Sequence, residues 1–299
     1  MKKLAVLLCI SACFLFRAAF TQAQSTGQKQ ATPDMNKTLS FLNDALSRMD
    51  DAFSETEPSP EDGYFLGRAV AANILAVYKP YTANPELTRY LNLICQTIVI
   101  NNPEIELYNG CHLSILDSKE INAFATPGGH IFITKTLVES ATSEETLAAI
   151  IAHELAHIKL KHGMNMVNSM KLNSQMTEMA KKASDFAGGD SFAARRLMGF
   201  HDSVSEIMDT MLKNGYSQTQ EFEADNEALS LLAASGYDPA AMLDVMNMLQ
   251  STDKSQIPGF SSTHPSPWER FQNIASSVGY YRVQDTRQYR VSRFRDMLH

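Results

Sequence analysis

His153-Glu154-Leu155-Ala156-His157 is the stretch of this chain best equipped to do chemistry. Two imidazoles four residues apart on an α-helix stand about 40° from each other around the axis, so both reach one metal ion. Glu154 follows the first imidazole and can be aimed at a water on that ion. Two neutral nitrogen ligands with a carboxylate base beside them are what zinc-assisted hydrolysis of a peptide bond requires. The flanking residues Leu147 to Ala152, Leu155, Ala156 and Ile158 are apolar nearly all round, which predicts a buried helix. Two His and a Glu in such a setting need partners, which weighs against a plain packing role. Thr142 with Glu145 forms a capping box, or Ser143 caps one residue later. Gly163 is expected to end the helix, with Lys159, Lys161 and His162 in the last turn.

A third protein ligand must come from elsewhere. A metzincin would place Gly and His three and six residues after the second His; this chain has Leu160 and Gly163 there, which excludes that class. On a continuing helix His162 would stand about 180° from His153 and could not share its metal. Glu221-Phe222-Glu223-Ala224-Asp225 opens a predicted helix running through Leu229, Leu231 and Leu232 to Gly236. Glu221 and Asp225 share one face. Glu221 can ligate, while Asp225 can accept the N–H of a ligand imidazole and fix its tautomer. Glu223 lies about 200° from Glu221 and points elsewhere. Taken singly, each acid could equally belong to a solvated helix face.

The elements that must hold these residues are legible in coarse form. Leu39, Leu42, Leu46 and Met49 give residues 35–53 helical spacing, and 61–79 and 84–99 read as two further amphipathic helices. Ile105 to Leu116 reads as a strand. Ala123 to Ala125 and His130 to Thr134 read as two more, split by Pro127-Gly128-Gly129. From Ser143 to about Leu249 nearly everything is helical. The class is α+β: a helical body with a small β-sheet inserted before the H-E-x-x-H helix. An exposed edge around Asn122, Ala123, Phe124, Ala125, Gly128, Gly129 and His130 would pair with any extended backbone. The glycines would allow close approach. The other reading is a plain hairpin turn. Thr263-His264-Pro265-Ser266-Pro267-Trp268-Glu269-Arg270 ends a loop and starts a helix capped by Ser266, with Glu269 completing the box. That holds His264 on a stiff loop. Arg270 could orient Asp225, bind a developing oxyanion or form an ordinary salt bridge.

The H-E-L-A-H motif, the E-F-E-A-D run, the segment Asn122 to Phe132 and Thr263-His264-Pro265 together resemble the M48 metallopeptidases. These are gluzincins with a zincin fold, and the likeness is to bacterial envelope members without tetratricopeptide repeats. It covers roughly residues 60–280. The resemblance implies one zinc ion per chain, held by His153, His157 and Glu221. It implies Glu154 as general base and later proton donor, Asp225 as the support of a ligand, and residues 122–134 as the edge against which an extended substrate lies. In similar envelope members the His corresponding to His264 occupies the open zinc position and holds the enzyme latent; a transition-state role or a plain loop position are the alternatives. The implied partners are unfolded or misfolded periplasmic and outer-membrane proteins, with contact to the outer-membrane assembly machinery or the membrane surface. A mostly latent protease acting as a chaperone or assembly factor is the competing reading.

The start of the chain sets the expected compartment. Met1-Lys2-Lys3, the apolar run Leu4 to Phe16 and Thr21-Gln22-Ala23 read as a secretory signal of residues 1–23. A polar linker at 24–34 and a single peptidase domain at 35–299 follow. Ile10-Ser11-Ala12-Cys13 offers the alternative of a lipoprotein anchored through Cys13. The whole chain carries a formal charge of −7, and the signal removes only basic charges, so the mature protein is acidic and a poor nucleic-acid binder. Cys95 and Cys111 remain as a pair, read either as a disulfide or as two buried thiols. Met164, Met166, Met170, Met176 and Met179 crowd one segment, either ordinary helix packing or a mobile lid.

Overall fold

The helix of the metal motif is the element on which the others pack. A computed structural model describes residues 59–165, 208, 213–252, 263–283 and 286–298. The expected signal, linker and first helix (1–23, 24–34 and 35–53) lie outside the described residues, as does the Met-rich stretch from Met166 to Met179. Helices α1 (Pro60–Val77) and α2 (Pro85–Asn101) come first. Strands β1 (His112–Leu116), β2 (Ala123–Thr126) and β3 (His130–Thr134) and the short α3 (Lys135–Ser140) follow. Then come α4 (Glu144–Lys159), α5 (Gln218–Ala234), α6 (Ala241–Ser251), α7 (Pro267–Ile274), a 3-10 turn (Val278–Tyr280) and α8 (Gln288–Leu298). The chain is α+β, as the pattern of its sequence predicts.

The sheet has the order β1-β3-β2. β1 runs parallel to β3 with His112 opposite His130, and β2 runs antiparallel to β3 with Phe124 opposite Phe132. The predicted first strand starts late. Ile105 donates its N–H to the Asn102 carbonyl in a turn, and Gly110 has a positive φ, so extended pairing begins only at His112. Period-two alternation sorts the strands' side chains to two faces. Leu113, Ile115, Ala123, Ala125, Ile131 and Ile133 join the main core with α2, α4, α5 and α6. Leu116, Phe124 and Phe132 face α1 through Val70, Ala71 and Ile74.

The expected substrate edge is redistributed by this topology. β2 is an edge strand, but its residues Ala123 to Thr126 are all buried, with α1 and α4 both packed on it. His130 starts the central strand, paired on both sides, and is not on the edge. The two turn glycines are used within the fold. A Cβ on Gly128 (φ 78°) would fall 2.3 Å from Tyr64 of α1, and one on Gly129 (φ 106°) would fall 2.6 Å from the Gly110 carbonyl oxygen. Their close approach is to α1 and to the loop before β1.

Every residue of α4 from Glu144 to His157 is buried. Ser143 is the cap, its side chain accepting the Thr146 N–H at 3.1 Å. Glu144 accepts from Tyr90 at 2.7 Å and Tyr237 at 3.0 Å and pairs with Arg293, while Arg290 donates to Glu145 at 2.7 Å. Helix α8 thus pins the N-terminus of α4 with two arginines, and the acids there suit the helix dipole. The other end stops before Gly163. Leu160 is the C-cap and Lys161 takes φ 56°, turning the chain back on itself. Cys95 and Cys111 are both buried in the core, with no bridge drawn between them.

Close packing of α1 on the β2–β3 turn depends on Gly67, where a Cβ would lie 1.6 Å from the Pro127 carbonyl oxygen. Gly63, one turn earlier, would meet nothing closer than 3.6 Å. Gly67→Ala should therefore cost about 1–3 kcal/mol or more in urea unfolding. Gly63→Ala should be neutral or stabilising by up to about 1 kcal/mol, through helix propensity alone. Equal stability of the two variants would show that α1 does not sit against the turn.

Candidate metal centre

Packing of α5 across α4 delivers a carboxylate to the two imidazoles. Ser217 caps α5 in a box with Gln220, which fixes where the helix begins and sets Glu221 in its first turn. Among the described residues, His153, His157 and Glu221 form one buried cluster whose ligand atoms lie within 4.8 Å of one another. The Nε2 atoms of His153 and His157 are 3.2 Å apart, His157 Nε2 is 3.4 Å from Glu221 Oε1, and His153 Nε2 is 3.6 Å from Glu221 Oε2. Ligands at 2.0–2.2 Å in a tetrahedral shell stand roughly 3.3–3.6 Å from each other, so the spacing fits a small cation. Glu221 Oε1 is a buried acceptor with no hydrogen-bond donor. Such an atom is costly to leave unpaired, and a cation between the three side chains would satisfy it.

The surroundings hold each member in place. His153 Nδ1 lies 3.0 Å from Asp225 Oδ1. Arg270 donates to both oxygens of the same carboxylate, Nη2 to Oδ1 at 2.6 Å and Nε to Oδ2 at 2.9 Å. Arg270 thus forms a buried, two-bond salt bridge with Asp225, and that carboxylate stands against His153. Helix α7 places the arginine there, started by the Ser266–Glu269 capping box that the sequence predicts. On the other side, His157 Nδ1 is 2.8 Å from His162 Nδ1, and the Tyr216 ring stacks on His157 with centroids 4.1 Å apart. Gly215 (φ 67°) lets that segment touch the His264 loop, since a Cβ there would fall 1.7 Å from the Thr263 carbonyl oxygen. His264 Nδ1 is 2.7 Å from Glu221 Oε2, so His264 stands directly against a carboxylate of the cluster.

Charge is balanced locally. Burial alone would raise the Glu221 carboxyl, but His264 first, and then the neighbouring His153 and His157 imidazoles, hold it well below the usual range. Burial likewise opposes ionisation of Asp225, and Arg270 outweighs it and brings the pKa to about 2. Burial pushes Glu154 up to about 7 against the pull of His153, with Glu221 adding to the rise. The backbone N–H of Ala125 in β2, a strand that packs on this helix, draws the Glu154 pKa back down in part. The arrangement offers a cation position, a carboxylate base beside it and an edge strand next to the base.

The structure brings together His153, Glu154, His157, Glu221, Asp225 and His264, and sets Ala123 and Ala125 on the strand beside them. Asn122, just before β2, has a buried Oδ1 without a partner. Gly128, Gly129 and His130 fall to the turn and the central strand. Cys95 and Cys111 are in the core, away from the cluster. Sequence reasoning missed Tyr216 and His162. Nothing local marks Tyr216. His162 was signalled by its spacing from His157, but only for a helix that ends at Leu160.

Comparison with known proteins agrees with this geometry. Residues 87–278 match peptidase family M48. The beta-barrel assembly-enhancing protease of Escherichia coli strain K12 is 25% identical over 223 residues, 73% of this chain and 45% of that protein. Metalloprotease LoiP of the same strain is 26% identical over 197 residues, 64% of this chain and 71% of LoiP. The mitochondrial metalloendopeptidase OMA1 of Schizosaccharomyces pombe is 26% identical over 164 residues, 54% of this chain and 45% of OMA1. The chain spans about half the length of the beta-barrel assembly-enhancing proteases it matches.

Removing Arg270 would leave Asp225 as a buried, uncompensated charge. Arg270→Met should cost about 3–5 kcal/mol of stability in urea unfolding. Combining it with Asp225→Asn should recover a large part of that loss. A double variant as unstable as the sum of the two single ones would mean that the pair is not coupled.

Proposed function

The chain belongs to peptidase family M48, and from that premise we propose that it is a zinc-dependent metalloendopeptidase of the cell envelope. Its substrates are misfolded or stalled periplasmic and outer-membrane proteins. The observation that carries the reading is the buried convergence of His153, His157 and Glu221, with Glu154 buried beside His153 on the same helix. Two imidazoles, one carboxylate ligand and an adjacent carboxylate base are the donor set of zinc hydrolases. Zinc held there supplies Lewis acidity, polarising a substrate carbonyl and making water acidic enough to attack near neutral pH. Glu154 takes the proton from that water and delivers it to the leaving amine. Asp225 and Arg270 keep His153 in the tautomer that presents Nε2. The outward backbone of Ala123 and Ala125 would align an extended substrate as an added strand, which asks little of its sequence.

The envelope location is supported by the signal-like sequence of residues 1–23 and by relatives named for β-barrel assembly. Among the described residues no helix is long and apolar enough to cross a membrane. Attachment through a lipid on Cys13 is the alternative, and the outer-membrane assembly machinery is the partner these relatives favour. A specific observation favours a closed resting state. His264 is held on Glu221 and its side chain is 8% exposed, while the β2 edge is buried. A largely latent protease that assists assembly of outer-membrane proteins fits that geometry, with His264 as the gate.

Glu154→Gln should retain zinc and lose casein cleavage by about 10²–10⁴-fold. Equal turnover by mutant and wild type at matched zinc content would discard Glu154 as the base. His264→Ala should raise casein cleavage with zinc content unchanged. A fall instead would assign His264 to stabilising the transition state.

A further inference from the structure

His157 presents two ring nitrogens to different neighbours. Nε2 faces His153 and Glu221, and Nδ1 faces His162 Nδ1 at 2.8 Å. His162 is buried, and its own Nε2 lies 3.3 Å from Glu223 Oε2. Only one proton can sit between two Nδ1 atoms at that distance. An imidazole that ligates through Nε2 is neutral and carries its hydrogen on Nδ1, so His157 must be the donor. His162 Nδ1 is then the acceptor, its hydrogen is on Nε2, and Nε2 donates to Glu223. The chain of bonds has one consistent direction, His157 to His162 to Glu223. It parallels the other side of the site, where His153 donates to Asp225.

We infer that His162, oriented by Glu223, is a positioning residue that fixes the tautomer and ring plane of His157 and so sets metal affinity. This rests on the reading of His157 as a metal ligand. Two features produce the contact. Lys161 in the left-handed region reverses the chain just past the helix, carrying His162 back over His157. Glu223, on a different face of α5 from Glu221, reaches out to the far nitrogen. Partners of this kind raise ligand basicity and hold ring orientation, and their loss costs about 10–100-fold in metal affinity.

The test uses the full chain stripped of metal and titrated with Zn²⁺ against a chromophoric chelator. Visible spectra of the Co²⁺-loaded protein and urea midpoints of the metal-free protein are read alongside. His162→Ala should weaken Zn²⁺ binding by about 10–100-fold and shift the Co²⁺ bands. His162→Asn places an amide oxygen near the lost Nδ1 and should recover most of the affinity. Glu223 is half exposed, so Glu223→Ala should fold normally; it should lose on the order of 10-fold, with Glu223→Gln restoring the acceptor. Wild-type affinity and spectrum in His162→Ala would overturn the proposal. So would an Asn variant as weak as the Ala variant, which would mean that His162 only fills space. If His162→Ala does not fold, wild-type affinity in Glu223→Ala decides against the relay. His157→Ala is the separate control: undiminished Zn²⁺ binding there would remove the ligand assignment itself.

Discussion

Fourteen consecutive buried residues of α4, among them two imidazoles and a carboxylate base, set the constraint that the rest of the fold answers. Ionisable groups so far from water are stable only when each has a partner of the right charge and direction. The fold supplies those partners from four different elements. Glu221 and Asp225 come from α5, Arg270 from α7, His264 from the loop before α7, and the Ala125 N–H from β2. At the helix start the same problem recurs with Glu144 and Glu145, and α8 meets it with Arg293 and Arg290.

This arrangement makes the site rigid by construction. Asp225 cannot turn without breaking two bonds to Arg270, and His153 cannot turn without leaving Asp225. His157 is held between the Tyr216 ring and His162. The sheet contributes through geometry instead of charge. It carries β2 past the motif so that Glu154 is fixed against a strand whose other edge is already paired with β3. Turn glycines and Gly67 allow α1 to close directly on the hairpin. A buried carboxylate, a cluster that could hold a cation and a strand therefore meet in one place.

The side of the site toward β2 and the His264 loop is covered. His264 leans on the Glu221 carboxylate, Gly215 brings the Tyr216 segment against Thr263, and the β2 residues are buried. A peptide entering as an added strand would have to reach an edge that this packing closes. Under the proposed function, activity would then depend on movement of the loop bearing His264, which stands on the Glu221 carboxylate.

The sequence by itself determined the features that depend on neighbours along the chain. The i, i+4 spacing of His153 and His157 put both imidazoles on one face. Ser143 and Ser266 marked helix starts through local side-chain-to-backbone bonds. Alternation gave β2 and β3 to within a residue, and the shared face of Glu221 and Asp225 followed from helical period. Tertiary structure decided everything that depends on distant contacts. Strand order put His130 at the centre and not the edge, because β1 returns to pair with β3 across intervening chain. Arg270 met Asp225 across 45 residues. His162 was set aside by extrapolating the helix one turn too far; the left-handed residue Lys161 reversed the chain and turned an excluded imidazole into a neighbour of His157. Helical and strand periods are properties of a few adjacent residues, whereas which buried polar group pairs with which is fixed only when the elements pack.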